Sequence, residues 1–385
     1  MRVTMLVRCL AMMRGGGETR HLAWARELTA VAVDVDIITG RPLVGSPRQS
    51  IEEFPTTVLR SPYARDFVYR FQRRRGFGRL TMTVLHLDEE WFCRAAWRHI
   101  ALQPAPPDVV HAHALHQAAR LRRGNVPVVI NLPGPPNPRY RADLRQADAL
   151  VADGWAAEHL SADLGARVER VPKGVDTQRF HPDGPNLRRV LRLDGKRVVL
   201  TVARLVPIKN VGLLVDAVAT LRETVSDVHL VIVGGGPDLP HLRDRAAVRG
   251  IADAVTFAGE VPFEETPAFY RTADVFALSS AFDNSPNVIL EAMACGLPIV
   301  TTNVGGVGDF VAHGVGGLIV PSGDSAAFAA ALAKLLAAPA MAAAAGRHNR
   351  TRAVNGFSWR TSALRLLDVY RSVVAARRGA DRASA

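Results

Sequence analysis

The sequence predicts an α/β protein of two Rossmann-like, doubly wound domains facing a central cleft. Three observations carry that prediction. The 385 residues are too many for one ordinary core and suit two. Short apolar β runs alternate with amphipathic helical stretches, the pattern of parallel sheets covered by helices. A turn-rich polar stretch, Phe180 to Asp194, separates two such series and reads as a linker.

In the first series, Arg2 to Val7 reads as a strand, Glu18 to Thr29 as an amphipathic helix, and Val33 to Thr39 as a second strand. Val109 to His111, Val126 to Asn131, Leu150 to Val151 and Val168 to Val171 follow as shorter β runs. The second series opens with strand Val198 to Val202 and helix Val211 to Arg222. Strand His229 to Val233, helix Leu239 to Arg249 and strand Val255 to Ala258 come next, and Val275 to Leu278, Pro298 to Thr301 and Gly317 to Val320 continue that sheet. Domain boundaries are expected at 1–178, 179–360 and 361–385. Doubly wound folds bind ligands outside the C-terminal ends of their strands, so the cleft is the expected site.

Composition removes several function classes. Hydrophobic residues make up 48% and charged residues 22%, as in folded globular proteins. Three cysteines, Cys9, Cys93 and Cys295, lie far apart with no CxxC pair, which supports neither a disulfide framework nor structural zinc. In MRVTMLVRCLAMMR, Arg8 and Arg14 enclose too short an apolar run for a signal-peptide core. The Ala-rich stretch from Ala326 to Ala345 carries Lys334 and Pro339 and reads as a surface helix pair. A cytoplasmic location is expected, with peripheral association at the inner face of the membrane as an extension.

The formal net charge is +12, which suits an acidic partner. Only four of the 48 basic residues are lysine, leaving 44 arginines, a skew that matches GC-rich coding. The cluster Arg65, Arg70, Arg73, Arg74, Arg75 and Arg79 is interleaved with Tyr63, Phe67, Tyr69 and Phe71. It reads first as a solvated helix face, with an anionic membrane surface or an acceptor as the alternative partner. No nucleic acid is expected.

Four segments carry chemistry. Arg14-Gly15-Gly16-Gly17-Glu18-Thr19 opens the first helix, where exposed amides complement an anion. Arg20 stands where a dinucleotide fingerprint needs its third glycine, which argues against a nicotinamide enzyme. Arg204 and Lys209 follow a buried strand and suit a diphosphate, a guanidinium fork beside a point charge. Gly234-Gly235-Gly236 follows another strand, either for close approach of a ligand or as a plain tight turn.

The fourth segment, Ser279 to Pro298, is the most specific. Asp283 stands in a loop and Glu291 in the following helix. Pro286 suits a helix start, so amides near Asn287 and Val288 point toward the loop. The loop carboxylate suits a sugar and the helix carboxylate a ribose. No histidine lies nearby and the spacing matches no common metal-ligand pattern, so no metal site is expected there.

Together these motifs resemble retaining glycosyltransferases of family 4, with the two-domain GT-B fold. The likeness includes Val110-His111-Ala112-His113, Val171-Pro172-Lys173-Gly174-Val175-Asp176, Asn303-Val304-Gly305-Gly306-Val307 and Phe357-Ser358-Trp359. It is strong over residues 171 to 370 and patchy before them. The resemblance implies a nucleotide-sugar donor, UDP- or GDP-linked, as substrate, a hydroxyl-bearing acceptor, and no cofactor. Gly15 and Gly16 would meet the donor phosphate, together with Gly234, Asn287 and Val288. Arg204 and Lys209 would neutralise the departing diphosphate, Glu291 would bind the ribose, and Asp283 would face the transferred sugar. His113 would lie near the reacting face, with His111 the second choice. The helix Thr361 to Val374 would cross back onto the first domain.

The sequence departs from the family pattern at four places: Asp283 and Asp309 stand for the usual Glu, Lys173 for Asn, and Asp153-Gly154 for Ser-Glu. None removes the cations. A metal-dependent transferase using Asp34 and Asp36 is a rival, although those acids lie two apart within a strand. A catalytically weak basic protein of the same fold, acting at a nucleic acid or anionic membrane, is the alternative from another class. The acceptor, a cell-envelope glycan, a lipid-linked sugar or a secondary metabolite, is expected against residues 41–97 and the turn from Pro133 to Pro138.

Overall fold

A computed structural model describes residues 1–12, 16–42, 51–61 and 78–384. The chain divides into two compact units, Met1–Pro172 with Trp359–Ala385, and Lys173–Ser358. Gly15 and Arg65 to Arg75 lie outside the described residues, and the Arg79 side chain is likewise not described.

The first unit is built on β1 (Arg2–Leu6), α1 (Gly16–Thr29), β2 (Asp34–Pro42), β3 (Thr56–Ser61), α2 (Gly78–Ala101), β4 (Val109–His113), β5 (Val128–Asn131), α3 (Arg141–Leu144), β6 (Ala149–Ala152), α4 (Gly154–Leu164) and β7 (Val168–Arg170). Its seven strands run parallel in the order β3-β2-β1-β4-β5-β6-β7. Alternate residues feed two cores, as a sheet covered on both faces requires. Leu6, Val110, Ala112, Val128 and Ile130 pack one way, and Val3, Met5, Val109 and Val129 pack the other.

The second unit contains β8 (Arg197–Val202), α5 (Val211–Arg222), β9 (Val228–Val233), α6 (Leu239–Val248), β10 (Val255–Gly259), α7 (Thr266–Thr272), β11 (Val275–Leu278), α8 (Asn287–Ala294), β12 (Ile299–Thr302), α9 (Val307–Phe310), β13 (Gly317–Val320), α10 (Ser325–Ala337) and α11 (Pro339–Gly356). Its sheet, all parallel, has the order β10-β9-β8-β11-β12-β13. Both sheets therefore reverse direction of growth once, beside β1 and β4 and beside β8 and β11. These are the topological switch points where crossovers leave opposite faces and a crevice opens.

The last helix, α12 (Trp359–Ser384), belongs to the first unit. Leu366, Leu367, Tyr370 and Val373 join the core beneath α1, and Trp24 Nε1 donates to Ser362 Oγ at 2.7 Å. The residues from 180 to 194, read from sequence as a linker, lie inside the second unit. Phe180 and Leu193 are buried in its core, and the Leu187 amide bonds Thr272 Oγ1 at 2.8 Å. Two buried apolar anchors hold a stretch whose Pro and Gly content reads as loop. Val175 N donates to Phe357 O at 2.7 Å, which ties the start of this unit to its end.

No single helix among the described residues is long and apolar enough to cross a membrane. α10 and α11 pass such a test only jointly and are bent by 99°. α10 is no surface helix: Phe328, Leu332 and Leu335 fill the core of the second unit.

Candidate active site

In the second unit, three loops leave the C-terminal ends of β8, β9 and β11 and are laced together by their backbones. Leu205 N donates to Gly235 O at 2.8 Å, and Ala281 N donates to Ile208 O at 2.8 Å. Ser279 Oγ donates to the carbonyls of Lys209 at 3.2 Å and Asn210 at 3.0 Å. Asn210 reverses the chain into α5 with φ 46°, a left-handed conformation that Asn adopts more readily than most residues.

This lacing explains the glycines. A Cβ on Gly234, at φ 130°, would lie 1.9 Å from Ala203 O. One on Gly236 would lie 2.2 Å from Leu205 O. The turn is therefore glycine-rich because the β8 loop passes against it. Gly305 plays the same part against the Asp283 carbonyl, 1.9 Å from its ideal Cβ.

The charged groups converge on this frame. Lys209 Nζ donates to Asp283 Oδ2, both side chains mostly shielded from water. Arg204 is exposed and has no ion-pair partner among the described residues. Lys173 Nζ donates to the Ser285 carbonyl, so this departure from the family pattern supports the loop before α8. Pro286 is the N-cap of α8 and supplies no side-chain bond, leaving the amides of Asn287 and Val288 as first-turn donors. Beside them, the Ser285 hydroxyl and the Asn287 amide oxygen are buried with no hydrogen-bond partner. Unsatisfied buried polar groups are rare in native folds and cluster at functional positions.

Glu291 lies one turn further along α8 and accepts a 2.7 Å hydrogen bond from the Tyr270 hydroxyl. Burial pushes its carboxyl up to about 7, against the opposing pull of the Tyr270 bond and the Lys173 ammonium. Tyr270, which the sequence reading missed, is fully buried on α7. Its phenol is held well above the ordinary range by burial and then by Glu291, so it stays a donor.

In the first unit, Gly16 begins α1 and His113 ends β4, both at the switch point. His113 Nδ1 donates to Asn131 Oδ1 at 3.1 Å. His111 is fully buried and bonded to His21 and Tyr370, which removes it as a reacting-face residue. Asp153 stands at the N-cap position of α4 without a side-chain capping bond and forms a two-point ion pair with Arg20 on α1, at 2.7 and 2.9 Å. That pair accounts for Asp153 where the family has Ser. Asp36, one of the acids of the metal-dependent rival, accepts from Thr4 Oγ1 at 3.0 Å and pairs with Arg2 at 3.4 Å. Among the described residues no three His, Cys, Asp or Glu side chains are grouped as metal ligands would be.

Residues 183–352 match the family of glycosyl transferases group 1. The matched stretch holds Arg204, Lys209, Asp283 and Glu291. The chain is 40% identical over 215 residues to a GDP-mannose-dependent α-(1-6)-phosphatidylinositol monomannoside mannosyltransferase of Mycolicibacterium smegmatis, covering 53% of this chain and 56% of the relative. It is 39% identical over 250 residues to a D-inositol 3-phosphate glycosyltransferase of Acidothermus cellulolyticus, covering 61% of this chain and 55% of that protein. The chain thus spans little more than half the length of these curated relatives. Among solved structures, sucrose-phosphate synthase from Thermosynechococcus elongatus has a TM-score of 0.77 at 23% identity, covering 97% of this chain and 99% of that one. Anabaena HepE in complex with UDP has a TM-score of 0.74 at 20% identity, covering 97% and 100%. At that identity the likeness establishes the GT-B fold, two parallel-sheet Rossmann-like domains.

Proposed function

We propose that the chain transfers a hexose from a nucleoside diphosphate sugar to a hydroxyl of a lipid-linked or inositol-type acceptor, with GDP-mannose as the first donor to test. The observation that carries this reading is the grouping of Arg204, Lys209, Asp283 and the open first turn of α8 at the switch point of the second unit. The sugar names come from the relatives, which are a GDP-mannose enzyme and an inositol phosphate enzyme.

The difficulty of the reaction is the negative charge that grows on the departing diphosphate as the anomeric C–O bond breaks. Fixed donors aimed at that charge are the most effective help. Arg204 and Lys209 supply two cations and α8 supplies amides and a helix dipole, so charge neutralisation needs no divalent metal in this reading. Asp283 meets the sugar hydroxyls and Glu291 the ribose, with Gly234 shaping the turn beside the phosphates. In the first unit, the Gly16 amide serves a phosphate oxygen and His113 the sugar's reacting face. The acceptor attacks from the leaving-group side and a phosphate oxygen takes its proton, so configuration is retained. Family 4 enzymes, which this sequence resembles, work in that way.

A thermal-shift screen of nucleotides and nucleotide sugars tests the reading, because a ligand of the native state alone raises Tm. GDP and GDP-mannose are expected to raise it, and GDP release is expected with an inositol or phosphatidylinositol acceptor. Absence of any shift with every nucleotide and nucleotide sugar would exclude it.

A further inference from the structure

Three side chains and one backbone carbonyl form a continuous hydrogen-bonded chain inside the first unit. His111 and His113 are two apart on β4 and so share the face that α1 and α12 cover. His21 Nδ1 lies 2.7 Å from the Gly17 carbonyl, and His21 Nε2 lies 3.1 Å from His111 Nε2. His111 Nδ1 lies 2.8 Å from the Tyr370 hydroxyl on α12. His21, His111 and Tyr370 are fully buried.

Elementary bonding rules fix the direction of this chain. A carbonyl only accepts, so His21 carries its proton on Nδ1. Burial, with the neighbouring histidines and Arg20, holds His21 well below the usual imidazole range and His111 at about 3, so both rings are neutral. A neutral imidazole has one N–H. His21 Nε2 therefore accepts, His111 Nε2 donates to it, and His111 Nδ1 accepts from Tyr370. The Tyr370 phenol keeps its proton because burial raises it far above its ordinary range. One carbonyl at the start of α1 orients the whole row, and no ring can turn over without placing two lone pairs or two protons face to face.

The row ends against His113. A Cβ on Gly17 would fall 2.3 Å from His113 Nε2, so the Gly17 backbone is in direct contact with that ring. The His21 ring packs on it with centroids 4.4 Å apart at 46°. On the other edge, Asn131 accepts from His113 Nδ1 and points its own amide nitrogen at Val151 O, 3.4 Å away.

We propose that His21 and Tyr370 are positioning residues for His113: the one-way chain Tyr370–His111–His21–Gly17 fixes the surface on which the His113 ring rests, and so the angle at which it meets the transferred sugar. This rests on the glycosyltransferase reading above and extends it to a helix, α12, that is remote in sequence from every donor-binding segment. The chain acts on the sugar end of the donor. Nucleotide affinity, which Arg204, Lys209 and Glu291 of the second unit chiefly supply, changes little.

The full chain with GDP-mannose and GDP as probes provides the test. Nitrogen-15 NMR of the histidines is expected to show His21 protonated on Nδ1 and His111 on Nε2. Tyr370→Phe and His21→Leu are expected to lower kcat by about tenfold while the Kd for GDP stays within about twofold. His21→Gln is expected to recover most of the loss, because its amide donates to Gly17 and accepts from His111 together. Unchanged kcat in both Tyr370→Phe and His21→Leu would overturn the proposal, as would equal damage from Gln and Leu or the opposite tautomers. If His21→Leu does not fold, Tyr370→Phe decides the kinetic arm. A wild-type chain that neither binds GDP nor turns over GDP-mannose counts against the glycosyltransferase reading, and the tautomers still decide the chain by themselves.

Discussion

Lys209 donates a hydrogen bond to Asp283, joining the cation expected at the diphosphate to the carboxylate expected at the sugar. The pair spans the two loops that flank the switch point, so each side chain holds the other's loop while remaining within the site. Arg204 has no such duty and stands exposed.

These two cations are therefore expected to fail differently. Arg204→Ala should lower transfer by about a hundredfold, an amount typical of losing one donor to developing charge, with Tm unchanged. Lys209→Ala should lower transfer comparably and also destabilise the fold by about 1–3 kcal/mol, because Asp283 is left shielded without its partner. Paired activity and thermal-melt measurements check both. Undiminished transfer in the double variant would remove the basis of the proposed function.

Glu291 gives a pH signature of known sign. Its folded-state value of about 7 exceeds the ordinary 4.5, so the native chain holds this proton more firmly than the unfolded one. The contribution is fully present below pH 4.5 and is lost as pH rises through 7. The slope should stay below the single-group ceiling of about 1.4 kcal/mol per pH unit, because the side chain keeps partial contact with water. Glu291→Gln should flatten that part of the urea-stability profile and weaken nucleotide binding. A profile identical to wild type would show that the carboxyl is ordinary.

The three glycines after β9 are not equivalent. Gly234→Ala places a methyl against a backbone carbonyl at a positive φ and should cost about 3 kcal/mol or more. Gly235→Ala meets first the Glu260 side chain, which can turn away, and should cost less than Gly234→Ala. Denaturant melts of the two variants give the comparison directly.

Arg20 and Asp153 are almost wholly buried and form an ion pair. Arg20→Leu should destabilise by about 3–5 kcal/mol, since it takes the paired guanidinium away from a buried carboxylate. Arg20→Leu with Asp153→Leu should recover much of that loss. A single variant as stable as wild type would mean that the pair is hydrated in solution.

Much of the fold was legible because parallel strands buried on both faces read as short continuous apolar runs. Among the described residues, twelve of the thirteen strands fall on runs read that way, and β3 does not: TTVLRS alternates in burial at a sheet edge and leaves little apolar signal. The linker reading of residues 180–194 failed for the converse reason, since two buried side chains among many turn formers hold that stretch in the core.

Arg204, Lys209, Asp283 and Glu291 were legible as chemistry because charged residues just after buried strands have few structural uses. The sequence by itself determined the two parallel sheets and the residue types placed after their strands. Tertiary structure alone decided the partnerships. Lys209 with Asp283, Glu291 with Tyr270, Arg20 with Asp153 and His111 with Tyr370 join residues from 21 to 259 positions apart. Local propensity and periodicity act over a few residues, whereas these bonds form only when separate crossovers bring their strand ends and helices together.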